Sequence, residues 1–216
     1  IICVTRASTP VLHRLLAARA RRGKERPERL AERQGVTERQ RPEGALLWVH
    51  AASVGEAQSA LILIDRLLQT YPQAHILVTS GTVTSADLME KRLPPRAFHQ
   101  FYPLDHPAWV RRFLNHWRPD MIVWMESEIW PNMLSAIGQR RIPAALVNAS
   151  VLQEITGGDA VIMDDIVGEF AETARDMRGI EASRKLAASL HHMMRTRRLA
   201  SSLRSASPRD SRACHA

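Results

Sequence analysis

Three short stretches carry residues whose types and spacing could do chemistry. Ser53-Val54-Gly55-Glu56 precedes apolar residues at Ala57, Leu61, Ile64, Leu67 and Leu68, a helical period. A Ser-x-x-Glu box there can cap the helix by satisfying its first backbone donors. The same geometry can serve a ligand, since Gly55 admits close approach and a helix N-terminus attracts a phosphate or sugar hydroxyl. Thr79-Ser80-Gly81-Thr82 offers hydroxyls and a glycine after a second apolar run. Glu126-Ser127-Glu128 follows a third, with Trp124 and Trp130 on either side. Carboxylates in such a place must be solvated, paired or used. Indole faces suit sugar packing, while acidic residues also favour a plain helix start. Glu32, in Arg29-Leu30-Ala31-Glu32-Arg33-Gln34-Gly35, reads by itself as one more charge on a polar helix.

The elements that must position these residues follow a regular grammar. Strands are expected at 45–49 (ALLWV), 75–79 (HILVT), 121–125 (MIVWM) and 144–148 (AALVN), with a short extended piece at 97–103. Helices are expected at 55–70, 84–92 and 107–116, and another begins near Pro131. The strands are near-continuous apolar runs, the mark of a parallel sheet covered on both faces. Strand–helix alternation at this spacing gives an α/β, Rossmann-like layer, with ligands expected at the carboxyl ends of the strands. Ahead of it, 8–22 reads as an amphipathic helix with Leu12, Leu15, Leu16 and Ala20 on one stripe and Arg14, Arg19, Arg21 and Arg22 supplying charge. It suits a membrane interface or a packed surface helix equally. A second short helix runs through 26–33 and stops at Gly35. After Ser150 the grammar is lost, and 201–216 is rich in Ser, Arg and Ala, a composition that reads as disordered. The expected organisation is basic membrane-proximal helices at 1–40, the Rossmann-like domain at 41–150 and a divergent tail at 151–216.

Charge follows the same division. Residues 1–40 hold ten Lys/Arg against four Asp/Glu, 41–170 ten against fourteen, and 171–216 ten against four, giving +6, −4 and +6 and the net +8 of the 216 residues. Basic ends suit an anionic membrane surface or a solvated helix face. Nucleic acid is disfavoured, because no aromatics interleave the charge and no recognition motif is present. Cys3 and Cys214 lie far apart with no CxxC or His/Cys cluster, so neither a disulfide framework nor a zinc site is expected. The usage suits a reducing compartment. No apolar run of about 18 residues is present. The chain begins Ile-Ile-Cys, which leaves an upstream anchor open.

Several blocks occur together in a telling order. They are Arg22-Gly23-Lys24-Glu25, Glu32-Arg33-x-Gly35, Arg41-Pro42-x-Gly44 and Leu47 through Glu56, then Thr79-x-Gly81-Thr82-x-Thr84-Ser85 and Phe101-Tyr102-Pro103-Leu104-Asp105. His116-Trp117-Arg118-Pro119-Asp120, Glu126 through Asn132 and Leu146-Val147-Asn148-Ala149 complete the series. This order resembles the amino-terminal half of bacterial 3-deoxy-D-manno-octulosonic acid (Kdo) transferase over roughly residues 20–149. The resemblance implies the first half of a GT-B glycosyltransferase, in which this domain takes the lipid A precursor and a second takes the donor substrate CMP-Kdo. It implies an inverting reaction with no metal and no cofactor, at the cytoplasmic face of the cell inner membrane. Glu32 matches the family's general base, which would accept the proton of a glucosamine 6-hydroxyl as it attacks. Ser53, Gly55, Glu56, Gly81, Thr82, Glu126 and Glu128 match motifs lining the acceptor side of the cleft. The basic first helix then fits an anionic membrane surface that presents a phosphorylated lipid.

The match departs from the family after Ala149, where Ser150-Val151-Leu152 follows. Asp164 through Phe170 resembles a donor-side motif only faintly. A shifted reading frame or truncated gene would give such an ending, so the 216 residues are expected to lack the CMP-binding half and to be inactive alone. The alternative is a non-catalytic membrane- or lipid-binding module.

Overall fold

The computed structural model describes residues 9–125, 128 and 130–147. The expectations for residues 148–216, for Ser127 and for Glu126 lie outside the described residues.

The apolar runs form five parallel strands: β1 (Leu46–Ala51), β2 (His75–Ser80), β3 (Ala97–Phe101), β4 (Met121–Met125) and β5 (Ala144–Val147). Their order is β3-β2-β1-β4-β5. β1 is central, with Trp48 opposite Leu77 of β2 on one side and Ile122 of β4 on the other. β1 and β4 are buried along their whole length, as strands covered on both faces must be. β5 alternates exposed and buried residues, as an edge strand does. The piece expected merely to be extended at 97–103 is the other edge strand, β3, paired in register with β2 from Ile76↔Ala97 to Ser80↔Phe101.

Helices α2 (Val54–Thr70) and α3 (Val83–Arg92) bury Ala57, Leu63, Ile64, Leu67 and Met89 against Val49, Ile76, Val78 and Val123. Helices α4 (Pro107–Trp117) and α5 (Pro131–Arg140) cover the opposite face, where Trp48, Phe113, Trp117 and Trp124 pack with Leu46, Leu77 and Ile122. Each such aliphatic or aromatic side chain contributes ~1.5–3 kcal/mol on burial. The chain is thus an α/β Rossmann-like layer with helices on both faces. Its direction of winding reverses between β1 and β4, which places the switch-point crevice at the ends of those two strands.

Helix α1 (Thr9–Arg21) lies on α4, with Leu12 and Leu16 against Trp109. Leu15, on the same apolar stripe, is 49% exposed, because the contact is narrower than the apolar set. The expected second helix is a 3₁₀ helix over Pro27–Gln34 rather than an α-helix. Its three-residue period stacks Arg26, Arg29 and Glu32 in one row toward β3 and α3. Gly35 ends it at φ 71°, and a Cβ there would lie 2.4 Å from the Trp109 carbonyl oxygen and 3.0 Å from the Phe113 nitrogen. Glycine is required twice over, by conformation and by contact.

Candidate functional site

The carboxyl ends of β1, β2 and β3 meet the 3₁₀ helix in one polar corner. Arg33 is its centre, 3% exposed. It donates to the carboxylate of buried Glu25 at 2.8 Å, to the Gly81 carbonyl at 2.7 Å and to the Tyr102 carbonyl at 3.1 Å. Arg19 of α1 donates to the other Glu25 oxygen at 2.8 Å. Burial pulls the Arg33 guanidinium below its ordinary range, and the neighbouring Glu25 carboxylate opposes that shift. One side chain therefore ties the helical prefix to two strand ends.

Glu32 stands on the row next to it. Arg29 grips its carboxylate at both oxygens, Nε to Oε1 and Nη2 to Oε2, each at 2.7 Å. The Phe101 backbone N–H donates to Oε2 at 2.6 Å, and Arg29 also donates to the His99 carbonyl at 3.2 Å. An Arg–Glu pair thus supplies the open edge of β3 with the acceptor and donor that a neighbouring strand would provide. Among the described residues three donors engage the carboxylate, and Oε1 keeps a second lone pair.

His99 Nδ1 lies 3.1 Å from Arg29 and Nε2 lies 2.9 Å from the Ser80 hydroxyl. Burial first, then the charges of Arg29, Arg33 and Arg26, lower its pKa to about 3, so the ring is neutral.

The Ser53 box is a cap, and Thr82 caps the helix that follows β2. The Ser53 hydroxyl accepts from the Glu56 N–H at 3.3 Å, and Glu56 reaches back to the Ala52 N–H at 2.8 Å. Glu56 is 8% exposed and committed to this turn, while Ser53 and Gly55 are exposed and a Cβ on Gly55 would meet open space. Thr82 caps α3 by accepting from Ser85 N–H at 3.1 Å. Gly81 packs under Ala52, where a Cβ would sit 3.3 Å from its carbonyl.

On the other side of the switch point the surroundings are aromatic. His50, wholly buried, packs against Tyr102 and Trp124 at centroid distances of 4.3 and 4.6 Å. Its Nδ1 is 2.9 Å from the Thr79 hydroxyl, which also receives the Trp48 indole N–H at 2.8 Å. Burial lowers its pKa to about 3. His50 Nε2 and the Tyr102 hydroxyl have no partner among the described residues. Glu128 is exposed, and its carboxylate accepts from Trp130 Nε1 at 3.1 Å. Its backbone carbonyl accepts from Trp124 Nε1 at the same distance.

The structure therefore gathers Glu32, Gly81 and Thr82 around the β2 and β3 ends, with Ser53, Gly55 and Glu56 beside them at β1. Glu128 stands across the crevice on the β4 side. Sequence reasoning missed Arg29, which holds the Glu32 carboxylate, and the Arg33–Glu25 pair, which ties the 3₁₀ helix beside it to the strand ends. It also missed Asp105, a buried carboxylate that caps α5 from a distance by accepting from Asn132 N–H at 3.0 Å and Met133 N–H at 2.8 Å. The place of Arg33 and Asp105 inside the motif series was the available signal. Among the described residues no group of three or more His, Cys, Asp or Glu is placed to hold a metal ion. No described helix is long and apolar enough to cross a membrane.

A Rossmann-like parallel sheet with its polar groups gathered at the carboxyl edge defines the class, an α/β layer consistent with the amino-terminal half of a glycosyltransferase. The chain belongs to the 3-deoxy-D-manno-octulosonic acid transferase family, whose model, described as "3-Deoxy-D-manno-octulosonic-acid transferase (kdotransferase)", matches residues 28–172. The match continues past Ala149, where the recognisable motif series ends. A probable 3-deoxy-D-manno-octulosonic acid transferase, mitochondrial, of Arabidopsis thaliana is 38% identical over 146 residues, 68% of this chain and 33% of that protein. The 3-deoxy-D-manno-octulosonic acid transferase of Rickettsia bellii is 36% identical over 140 residues, 65% and 33% of the two chains. That of Haemophilus influenzae is 37% identical over 125 residues, 56% and 29%. The chain spans about a third of the length of these curated relatives.

Proposed function

We propose that this domain is the acceptor half of a Kdo transferase, taking the lipid A precursor (lipid IVA) at the cytoplasmic face of the inner membrane with CMP-Kdo as donor. The observation that carries this is the Glu32 carboxylate, oriented by Arg29 and the Phe101 N–H with one Oε1 lone pair left over. In the proposed step the acceptor hydroxyl gives its proton to Glu32 as its oxygen bonds to the anomeric carbon of Kdo. The bond from that carbon to the nucleotide breaks, and CMP leaves with the electron pair. A single displacement inverts the anomeric centre and needs no metal in this half. Ser53, Gly55, Gly81, Thr82, Glu126 and Glu128 would face the acceptor sugar, and Glu56 would act by fixing the Ser53 turn.

Helix α1 supports the membrane side of the reading. Val11 is 64% and Leu15 49% exposed on its outer face, with exposed Arg14, Arg21 and Arg22 alongside. Apolar residues flanked by arginines suit insertion among anionic headgroups. The same face would serve a lipid-binding module without catalysis, and transfer distinguishes the two.

The test is Kdo transfer from CMP-Kdo to the lipid A precursor in an enzyme carrying this domain. Glu32→Gln should lower transfer by ~10²–10⁴-fold while precursor binding persists. Transfer that survives the substitution would remove Glu32 from the chemistry. The 216 residues by themselves are expected to bind precursor without turnover, and robust turnover by them would overturn that expectation.

A further inference from the structure

The open edge of β3 carries a recess of about 460 Å³, bounded by Arg29, Glu32, Arg39, Phe98, Gln100 and Trp117. That lies within the range of small-molecule sites, ~300–1,000 Å³. Two groups in it have donor hydrogens without acceptors. Gln100 is 2% exposed, and its side-chain oxygen accepts the Trp117 indole N–H at 2.8 Å. An indole N–H only donates, so the amide orientation is fixed and its NH₂ points elsewhere. That nitrogen has no partner among the described residues. The Arg39 guanidinium lies 4.1 Å from the centroid of the Phe98 ring and makes no ion pair among the described residues.

The carboxylates in the recess are already paired with arginines, which leaves one Oε1 lone pair of Glu32 over. Arg29 holds both Glu32 oxygens, and Arg26 and Arg29 hold Glu90. What the recess lacks is acceptor oxygen. The charge left over in the recess is positive, since Arg29 is paired with Glu32 and Glu90 while Arg39 has no carboxylate partner among the described residues. A ligand that completes the recess therefore brings several oxygens and a negative charge, which is the chemistry of a phosphate monoester.

We propose that this recess binds a phosphosugar, its phosphate oxygens received by Arg39 and the Gln100 NH₂ and its hydroxyls turned toward Glu32. The inference rests on the acceptor reading for the identity of the sugar, because a phosphorylated lipid headgroup would bring phosphate and nucleophilic hydroxyl to the same recess. A free phosphosugar would offer the same chemistry.

The experiment follows the Trp117 indole N–H resonance of the ¹⁵N-labelled chain, assigned with Trp117→Phe, during titrations. The probes are glucosamine 1-phosphate, unphosphorylated glucosamine and vesicles carrying the lipid A precursor. Glucosamine 1-phosphate should move the resonance and glucosamine should not. Arg39→Gln, at an exposed position where only the stacking on Phe98 is lost, should weaken phosphosugar and precursor binding about tenfold, the loss expected for a hydrogen bond to a charged group. Gln100→Leu should do the same. If the precursor binds wild type and Arg39→Gln equally, the recess inference is overturned while the acceptor reading stands. If glucosamine 1-phosphate binds there but the precursor does not, the recess stands as a soluble phosphosugar site and the acceptor reading falls. An unmoved Trp117 resonance with every probe overturns the inference.

Discussion

Two histidines stand near the carboxyl edge of the sheet, one in each corner, His50 wholly buried and His99 half-buried, and loss of water keeps both neutral while their charged surroundings differ. His50 of β1 sits among Trp48, Tyr102 and Trp124, and its pKa falls to about 3 because a cation there would be stripped of water. His99 of β3 falls as far, but three guanidiniums add to the effect of burial. The aromatic corner is a low-dielectric wall whose polar atoms have been left over. The charged corner is a network in which nearly every polar atom has an assignment, with Glu32 held in the middle. The first kind of corner walls a crevice, and the second fixes the orientation of the carboxylate proposed to take the acceptor's proton.

The largest expected effect comes from acid. Both histidines have folded pKa values near 3, below the ordinary 6.5, so between those pH values the unfolded chain binds protons that the folded chain refuses. Stability from these two sites is fully present above about pH 6.5 and is lost as pH falls toward 3. A tenfold difference in proton affinity between the folded and unfolded chain is worth ~1.4 kcal/mol, so the combined loss is several kcal/mol. Urea unfolding at pH 7, 5 and 4 should show it, and His99→Gln should flatten the dependence. Salt sharpens the contrast. Arg26 and Arg29 are partly exposed, with side-chain exposures of 25% and 16%, so ionic strength should raise the His99 titration and leave that of His50 in place. Equal salt response in the two rings, read from their NMR titrations, would dissolve the distinction between the corners.

Next in size is Arg33→Met. It leaves Glu25 buried with one partner fewer and two strand-end carbonyls without a donor. Breaking a buried pair by removing one member costs ~3–5 kcal/mol. Denaturant midpoints should show that loss. Glu25→Gln together with Arg33→Met should cost less than Arg33→Met alone, because the stranded charge is gone. If the double variant loses the same amount as the single, the pair is not what couples the helical prefix to the sheet.

How far the corners were legible in the sequence follows from their physics. The strands and the Ser53 and Thr82 caps rest on residues three or fewer positions apart, and local spacing carries that information. Arg33 reaches Gly81 and Tyr102, 48 and 69 positions on. No periodicity encodes such a partner. Glu32 looked like a solvated helical charge because its two restraints, a 3₁₀ rather than α period and an unpaired edge at β3, are both tertiary. Only the motif resemblance singled it out. β3 itself was readable as extended but not as an edge, since pairing order is a property of the whole sheet. Leu15 shows the converse limit: an apolar stripe was legible, but which of its members a neighbour would cover was not.

The smallest effects compare a local cap with a distant one. Asp105 accepts the Asn132 and Met133 N–H groups from 27 and 28 positions away, and it also receives the Asn132 side-chain amide at 3.2 Å. Asp105→Ala strips the first turn of α5 and leaves buried donors unsatisfied, so it should cost ~2 kcal/mol, the upper end for caps. Ser53→Ala should cost ~1 kcal/mol or less, because Glu56 still reaches the Ala52 N–H when the hydroxyl is gone. Thermal denaturation ranks the two. The ordering matters for the site as well as for stability. Ser53 is exposed at the switch-point crevice, so a loss of precursor binding in Ser53→Ala with its fold intact marks a residue that caps a helix and touches the acceptor. Unchanged binding in that variant confines Ser53 to the cap, and leaves the charged corner around Glu32 to recognise the sugar.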